Sequence, residues 1–302
     1  MAQERWARIG WHGISFDVPE DWAPGRLEGD YATGYLRVED ETHVRLEVRW
    51  ETVGRRVPSA ASLVDNYLKQ TRRKLRTKAR GVEPAVDRGR GIKELGSVDH
   101  EAFTWRGGFN AHSLLLVAPQ SRRVVHLRVF FEEGKDDKPL ARQIFSSVRA
   151  APQDGMNEWA AFGFRFLLAE AWRLDQSSMR TGCLQFVFKA EGDELEVVRQ
   201  SLAEITLRGS SLEGWFRGFF AKALRGFTTR VSGAGRGEHP AVRCEGVLRR
   251  STRPLAVFRR RRYATALAWH CTEADKIFAV RANTTTASDP QVERCADSVS
   301  CH

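Results

Sequence analysis

The sequence repeats itself once, at an offset of about 150 residues, and this repeat constrains the fold more than any other feature. Residues 13–22 (GISFDVPEDW) correspond to residues 163–172 (GFRFLLAEAW), and a tryptophan precedes each block, Trp6 or Trp159. Further matches follow in the same order in both copies: 33–38 with 181–186, 46–48 with 195–197, 99–102 with 238–241, and 123–128 with 276–281. Solenoid repeats have periods of roughly 20 to 50 residues, so this longer period predicts two tandem domains.

The stretch between the two copies, residues 150–157 (AAPQDGMN), has the proline, glycine and polar content that is typical of a linker. We therefore predict a first domain at residues 1–151 and a second domain at residues 156–302. Both lengths are within the usual range for a domain that buries a hydrophobic core of its own.

Hydrophobic periodicity within one copy predicts strands, then a helix, then more strands and a closing helix. Residues 13–18 alternate apolar and polar side chains, and Pro19 ends the run because proline cannot donate a backbone hydrogen bond to a sheet. Similar patterns predict strands at 35–38, 44–50, 91–106, 109–118 and 123–131, a helix from 58 onward with its counterpart at 211–227, and a closing helix at 140–149 or 291–301. The predicted fold class is α+β, with two tandem α/β/α sandwich domains, each a mostly antiparallel sheet flanked by helices.

The motif Gly-x-x-Phe-x-Val-Pro-Glu-x-Trp at residues 13–22, the helix after three strands, and the final helix with Ile144 and Ser147 resemble the Mog1/PsbP-like (DcrB-like) domains. The resemblance covers nearly all of each copy, although Ala169 stands where the second copy would carry the family's proline. It implies an antiparallel sheet between helices. It also implies non-enzymatic work, such as binding a small GTPase, serving as an extrinsic photosystem subunit or acting as a chaperone for secreted effectors. Fold-level likeness does not choose among these roles.

Three features bear on the cellular compartment. No run of apolar residues approaches the roughly 20 needed to cross a bilayer, so we predict no membrane span. Residues 1–10 (MAQERWARIG) lack the basic start, apolar middle and cleavage site of a secretory signal, which predicts a cytoplasmic location. The five cysteines all fall in the second half, and their odd number and irregular spacing predict reduced thiols.

The formal net charge of +10 makes a polyanionic partner worth considering. Residues 1–151 carry 26 basic and 21 acidic side chains and residues 152–302 carry 22 and 17, so no single tail holds the excess. The sharpest run is an arginine-rich hairpin in the second copy, comprising Arg249, Arg250, Arg259, Arg260, Arg261 and Arg262. This hairpin is either a patch for nucleic acid, an acidic protein surface or anionic lipid, or a solvated hairpin that protects an edge strand.

Neither the glycine-rich stretch nor the histidines form a recognisable catalytic pattern. Residues 233–237 are not followed by the helix that a phosphate-binding loop needs, so we interpret them as a flexible turn. His100 and His239 occupy equivalent positions in the repeat, but no second catalytic group recurs beside them. We interpret both as parts of turns that lead into strands, and we predict no enzymatic activity.

Several residues in the second copy have side chains that zinc prefers as ligands, namely His270, Cys271, Cys295, Cys301 and His302. Their spacing matches no zinc motif. Cys295 also stands where the first copy has Ile144, a predicted core position, and a free cysteine packs as a small apolar residue. We therefore predict no cofactor and leave metal binding by these residues open.

Tryptophans without an aromatic counterpart in the other copy could mark a partner surface, because tryptophan is enriched at binding hot spots. Trp215 and Trp269 are the candidates in the second copy. We predict a non-catalytic protein–protein interaction or scaffold subunit built from a duplicated domain, whose partner is another protein or a larger assembly. The alternative is nucleic-acid or polyanion binding through the arginine-rich hairpin.

Overall fold

Strands make up most of the chain in this computed structural model, which describes residues 5–78, 84–89, 91–249, 261–287 and 289–301. The chain divides into two compact units, Met1–Gly163 and Phe164–His302. Each unit contains a seven-stranded sheet. Within the described ranges, no helix is both long and apolar enough to cross a membrane.

The first unit begins with a hairpin and continues into its large sheet. Its elements in chain order are β1 (Trp6–Trp11), β2 (Ile14–Pro19), β3 (Ala23–Gly29), β4 (Thr33–Glu39), β5 (Val44–Thr52), α1 (Ala60–Lys78), β6 (Ala85–Arg88), β7 (Asp99–Arg106), β8 (Asn110–Ala118), β9 (Arg123–Phe130), α2 (Lys138–Ser146) and β10 (Met156–Ala161). A short 3-10 helix at Lys93–Leu95 precedes β7.

The second unit follows the same sequence of elements, with two short helices in place of α1. Its elements are β11 (Phe164–Ala169), β12 (Arg173–Arg180), β13 (Cys183–Ala190), β14 (Asp193–Ser201), α3 (Ala203–Thr206), α4 (Leu212–Phe219), β15 (Phe227–Arg236), β16 (His239–Leu248), β17 (Tyr263–Cys271), β18 (Lys276–Thr284) and α5 (Gln291–Ser298).

The two large sheets have the same strand order. The first unit has the order β3-β4-β5-β9-β8-β7-β6, and the second has β12-β13-β14-β18-β17-β16-β15. Neighbouring strands are antiparallel throughout. The first strand of each sheet also carries a bulge at the same place in the repeat, between Pro24 and Arg26 or between Leu174 and Gln176. This shared order is what an internal duplication predicts, and duplication remains our interpretation of it.

The predicted fold class, α+β with tandem α/β/α sandwich domains flanked by helices, is wrong because strands dominate both units. Of the helices in the described residues, only α1 is longer than nine residues. The helix predicted at 211–227 ends at Phe219. Gly214 and Gly218 each lower helix propensity by about 1 kcal/mol, and the chain turns into the long strand β15 instead of continuing as a helix.

Edge strands account for most of the strand content that the sequence pattern misses. The strands predicted at 13–18, 35–38 and 44–50 are confirmed as β2, β4 and β5. Strands β3 and β12 have mainly exposed or half-buried side chains, so they show no clear alternation of apolar and polar residues. At the opposite edge, β15 includes part of the stretch interpreted as a flexible turn at 233–237.

Helices α1 and α4 cover their sheets with different combinations of side chains. Ala60, Val64 and Leu68 of α1 pack against β7 and β8. Phe216 in α4 and Phe220 just after it pack over small residues of the sheet: Cys244, Ala266, Ala268 and Ala279. Large side chains on the helix and small ones on the sheet keep this interior close-packed.

Strand β10 pairs with β1 in the first unit, although the sequence repeat places β10 at the start of the second copy. Gly10 lies opposite Ala160, its counterpart in the repeat. A Cβ atom on Gly10 would lie 2.7 Å from the backbone oxygen of Glu158, so the close approach of the two strands requires glycine. The first unit therefore extends past the predicted linker at 150–157 and includes Met156–Ala161.

Aromatic and charged side chains reinforce the pairing of β1 with β10. The ring centroids of Trp11 and Trp159 lie 5.3 Å apart in an edge-to-face arrangement, and both side chains are buried. Arg8 donates to the Glu158 carboxylate at 2.8 Å. These contacts make β10 part of the first unit's core.

A serine near the end of each closing helix ties that helix to the neighbouring strand. The Ser147 hydroxyl accepts from the backbone N–H of Asp17 at 2.8 Å and donates to the carbonyl of Ile144 at 2.6 Å. In the second unit, the Ser298 hydroxyl accepts from the backbone N–H of Leu167 at 2.8 Å and donates to the carbonyl of Cys295 at 2.6 Å.

We expect Ser147→Ala and Ser298→Ala each to lower the free energy of unfolding by about 1 to 2 kcal/mol, because each leaves a strand N–H without its acceptor. Ser146→Ala is the matched control, since the Ser146 hydroxyl is exposed and bonds only within its own helix. Urea unfolding of the three variants measures the difference. If Ser146→Ala and Ser147→Ala lower the free energy of unfolding equally, the Ser147 hydroxyl does not have the stabilising role described here.

Candidate functional site

The described part of the arginine-rich hairpin is largely engaged in structural contacts. The Arg262 guanidinium donates to the Asn283 side chain at 3.1 Å, to the Asn283 carbonyl at 2.6 Å and to the Gly192 carbonyl at 2.8 Å. Arg261 lies over the ring of Tyr263 at 5.8 Å, and exposed Arg249 donates to the Thr228 hydroxyl at 3.3 Å. Arg262 therefore holds turns together instead of facing a ligand.

Three predicted members of this hairpin, Arg250, Arg259 and Arg260, lie outside the described residues. Of the predicted polyanion-binding patch, the described residues include two exposed arginines, Arg249 before residues 250–260 and Arg261 after them.

The two candidate tryptophans are in different environments. Trp269 is fully buried in β17, where it stacks on Phe278 and lies beneath the Arg236 guanidinium at 4.2 Å. The prediction that Trp269 contacts a partner is therefore corrected, because its ring is part of the core. Trp215 is half-buried on α4 and stacks on Phe219 with ring centroids 5.1 Å apart.

Three potential metal ligands meet in the second unit: His239, Cys271 and Cys301. Their ligand atoms all lie within 4.8 Å of one another, and the distance from Cys301 Sγ to His239 Nε2 is 3.5 Å. Cys271 is buried, and the other two side chains are half-buried. Burial raises the pKa of the Cys301 thiol, the neighbouring Cys271 raises it further, and the positive charge of Arg236 opposes both effects. We refer to these three residues as the His-Cys-Cys cluster.

The other residues that could bind a metal do not join this cluster. His270 precedes Cys271 in a strand, so its side chain points to the opposite face of the sheet. Cys295 is buried on α5, where burial raises its thiol pKa to about 12. His302 lies outside the described residues, and none of the five cysteines forms a disulfide.

The segment at residues 202–207 presents apolar side chains to solvent next to β14. The exposed fractions are 57% for Leu202 and 58% for Ile205. Asp275 holds this segment: its carbonyl accepts from the backbone N–H of Ala203 at 3.1 Å, and its carboxylate accepts from the backbone N–H of Glu204 at 2.8 Å. Leu202 has a φ of 57°, in the left-handed region that residues other than glycine rarely adopt.

In the first unit, Thr104, His112 and Asp136 form a chain of polar contacts. Thr104 Oγ1 lies 2.9 Å from His112 Nδ1, and His112 Nε2 lies 2.6 Å from Asp136 Oδ1. This order resembles that of a nucleophile, a base and a carboxylate. Thr104 and His112 are buried, however, and Asp136 also binds Arg106. Burial lowers the pKa of His112, so the imidazole is neutral near pH 7 and links β7 and β8 to the loop between β9 and α2.

His100 also has a structural role in the first unit. Its Nε2 accepts from the backbone N–H of Ile92 at 2.8 Å, and its Nδ1 donates to the carbonyl of Val98 at 2.6 Å. His100 itself is the second residue of β7, so it lies in the strand, and its imidazole holds the turn that leads into that strand. His239, its counterpart in the repeat, instead lies in the His-Cys-Cys cluster.

Comparison with known proteins gives no family for this chain. No protein-family model matches it, and no curated protein matches it. Among solved structures, the apo immunity protein TplEi of T6SS from Pseudomonas aeruginosa matches with 9% identity and a TM-score of 0.33, covering 98% of this chain and 97% of its own. A crystal structure from Bacteroides thetaiotaomicron VPI-5482 matches with 13% identity and a TM-score of 0.25, covering 54% and 53%.

TM-scores of this size carry no inference about fold or function. The resemblance to Mog1/PsbP-like domains is not tested by these matches and stays a prediction.

Proposed function

We propose that this chain is a non-catalytic protein-binding subunit, and that a partner protein with an acidic surface binds the second unit at residues 202–207. The observation that carries the proposal is the exposed pair of Leu202 and Ile205. Leu202 directly precedes the short helix α3 (Ala203–Thr206) and Ile205 lies within it, so one short segment carries both exposed side chains. A partner pocket that covers both side chains would gain the free energy of burying apolar surface.

The backbone of this segment supports a binding role because it is held in place before any partner arrives. Two hydrogen bonds to Asp275 fix its start, and the backbone N–H groups of Thr206 and Leu207 donate to the carbonyls of Leu202 and Ala203. A surface that is already ordered loses less conformational entropy on binding. The left-handed backbone at exposed Leu202 fits a functional site, since such strain is concentrated at binding and catalytic sites.

Charge around the segment favours an acidic partner. Residues 199–225 contain five basic and two acidic side chains. Arg208, Lys222 and Arg225 are exposed, whereas Arg217 forms an ion pair with Glu213. Complementary charge speeds association and excludes partners of like charge.

The cysteines support a reducing compartment for this interaction, which we take to be the cytoplasm. None of the five cysteines forms a disulfide, and Cys244, Cys271 and Cys295 are buried. Disulfides persist mainly in oxidising compartments.

Photo-crosslinking at residue 205 tests the proposal. We expect the full chain with a photoreactive amino acid at this position to crosslink one acidic protein from the source cells. Measured with that purified protein, Ile205→Asp should weaken binding at least about tenfold, because it removes one buried apolar side chain and adds a charge of the partner's sign.

Leu248→Asp is the matched control, since Leu248 is another exposed apolar residue of the second unit. Both variants should unfold at temperatures close to that of the wild type. If Leu248→Asp weakens binding as much as Ile205→Asp does, or if the crosslinked protein binds Ile205→Asp normally, the proposed surface is wrong.

A further inference from the structure

The fold brings the His-Cys-Cys cluster together from three separate places in the sequence. The pairing of β16 with β17 sets Ala241 opposite Trp269. Extending this register by two residues places His239 opposite Cys271, and the period of two along a strand puts both on the face that carries Trp269. Chain spacing alone hides this cluster because its members are far apart in the sequence.

The third member, Cys301, reaches the cluster because the chain around and after α5 is tied to β11 and to β15. Ser300 forms an antiparallel bridge with Arg165 in β11. Arg236 donates to Asp297 of α5 at 3.2 Å. The position of Cys301 therefore depends on backbone pairing and an ion pair as well as on its own side chain.

The distances within the cluster are close to those of a metal site. Zinc binds cysteine sulfur at about 2.3 Å and histidine nitrogen at about 2.0 to 2.1 Å, so ligand atoms around a tetrahedral ion are about 3.4 to 3.8 Å apart. The three ligand atoms here lie within 4.8 Å of one another, and the sulfur of Cys301 is 3.5 Å from the His239 nitrogen. Small side-chain rotations would bring all three to bonding distance.

We propose that His239, Cys271 and Cys301 bind a zinc-class divalent ion, with one position left for water or an outside ligand. Two thiolates balance the charge of such an ion, and thiolate and imidazole are ligands that zinc prefers. The inference is independent of the proposed protein-binding surface.

Cobalt substitution in the reduced full chain tests this proposal. We expect one Co²⁺ per chain, with thiolate-to-cobalt charge-transfer absorption and the visible bands of a tetrahedral site. Zn²⁺ should displace the cobalt and abolish these bands. Calorimetry in buffers of different ionisation enthalpy should show release of about two protons per ion, because the thiols must ionise to bind.

Three single variants should each weaken binding at least about tenfold: His239→Ala, Cys271→Ser and Cys301→Ser. Cys183→Ser is the matched control because Cys183 is a half-buried thiol outside the cluster, and it should bind cobalt as the wild type does. The proposal is overturned if the reduced wild type shows no thiolate-to-cobalt band. It is also overturned if Cys301→Ser binds cobalt as tightly as the wild type does, or if Cys271 and Cys301 remain a disulfide under reducing conditions.

Discussion

Arg281→Met is expected to lower the free energy of unfolding by about 3 to 5 kcal/mol, because it leaves a buried carboxylate without its counter-charge. Arg281 is 2% exposed and donates to the Glu196 carboxylate at 2.7 and 2.9 Å, and to Glu194 at 2.6 Å. Glu196 is 4% exposed and also accepts from the Gln185 amide at 2.5 Å. Urea unfolding at pH 7 measures the loss.

The double variant Arg281→Met, Glu196→Leu is the control that separates the ion pair from its packing. It should recover most of the lost stability, since replacing both charges with apolar side chains leaves no buried ion. Arg128 and Glu47 form the equivalent cross-strand pair in the first unit, but both side chains are more exposed. Arg128→Met should therefore cost less than Arg281→Met, and a reversed order would contradict this argument.

His126 is expected to make the protein sensitive to mild acid. Burial and, to a smaller extent, the positive charges of Arg128 and Arg49 lower its pKa to about 3. Its imidazole packs edge-on against Tyr67 with ring centroids 4.7 Å apart. Among the described residues, none forms a hydrogen bond with His126 Nε2. The folded state therefore holds the ring neutral.

The direction of the pH effect on stability follows from the protonation of His126 in the folded and unfolded chains. The unfolded chain binds a proton at His126 below about pH 6.5, whereas the folded chain does not until about pH 3, so stability is complete above pH 6.5 and falls as the pH drops between these values. At pH 4.5 the loss from this residue is about 2 to 3 kcal/mol.

His126→Phe tests this assignment because a neutral ring keeps the packing against Tyr67. The difference in unfolding free energy between the variant and the wild type should be constant above pH 7 and should shift in favour of the variant by about 2 to 3 kcal/mol at pH 4.5. Urea unfolding across this pH range measures it. A difference that stays constant down to pH 4.5 would rule out His126 as the acid-sensitive group.

The sequence predicts the interior of each sheet better than its edges. Alternation is clear in β2 and β5, where one face of the strand is buried. It is weak in β3, β12 and β15, since an edge strand with two partly exposed faces can be polar throughout. The predicted helical content is too high for a different reason. The aromatic residues around Phe216 and Phe220 suit a longer helix, but α4 ends after about two turns.

The candidate sites depend on contacts between distant residues, which a single sequence does not show. His239 and Cys271 come together only through the register of β16 with β17. Leu202 and Ile205 carry no pattern that singles them out, because their exposure depends on the hydrogen bonds to Asp275. Arg249 and Arg262, by contrast, belong to an obvious charge run, yet contacts with neighbouring turns engage Arg262.

The position of β10 has a consequence for how this gene could be cut or recombined. A fragment that stops at Ala151 would lose the strand that covers the edge of β1 and would expose the indole of Trp11. Unpaired strand edges with apolar neighbours recruit other chains and aggregate. An N-terminal piece that keeps the partner strand of β1 must therefore extend at least to Ala161, past the end of the first sequence copy, so the two sequence copies are not interchangeable units.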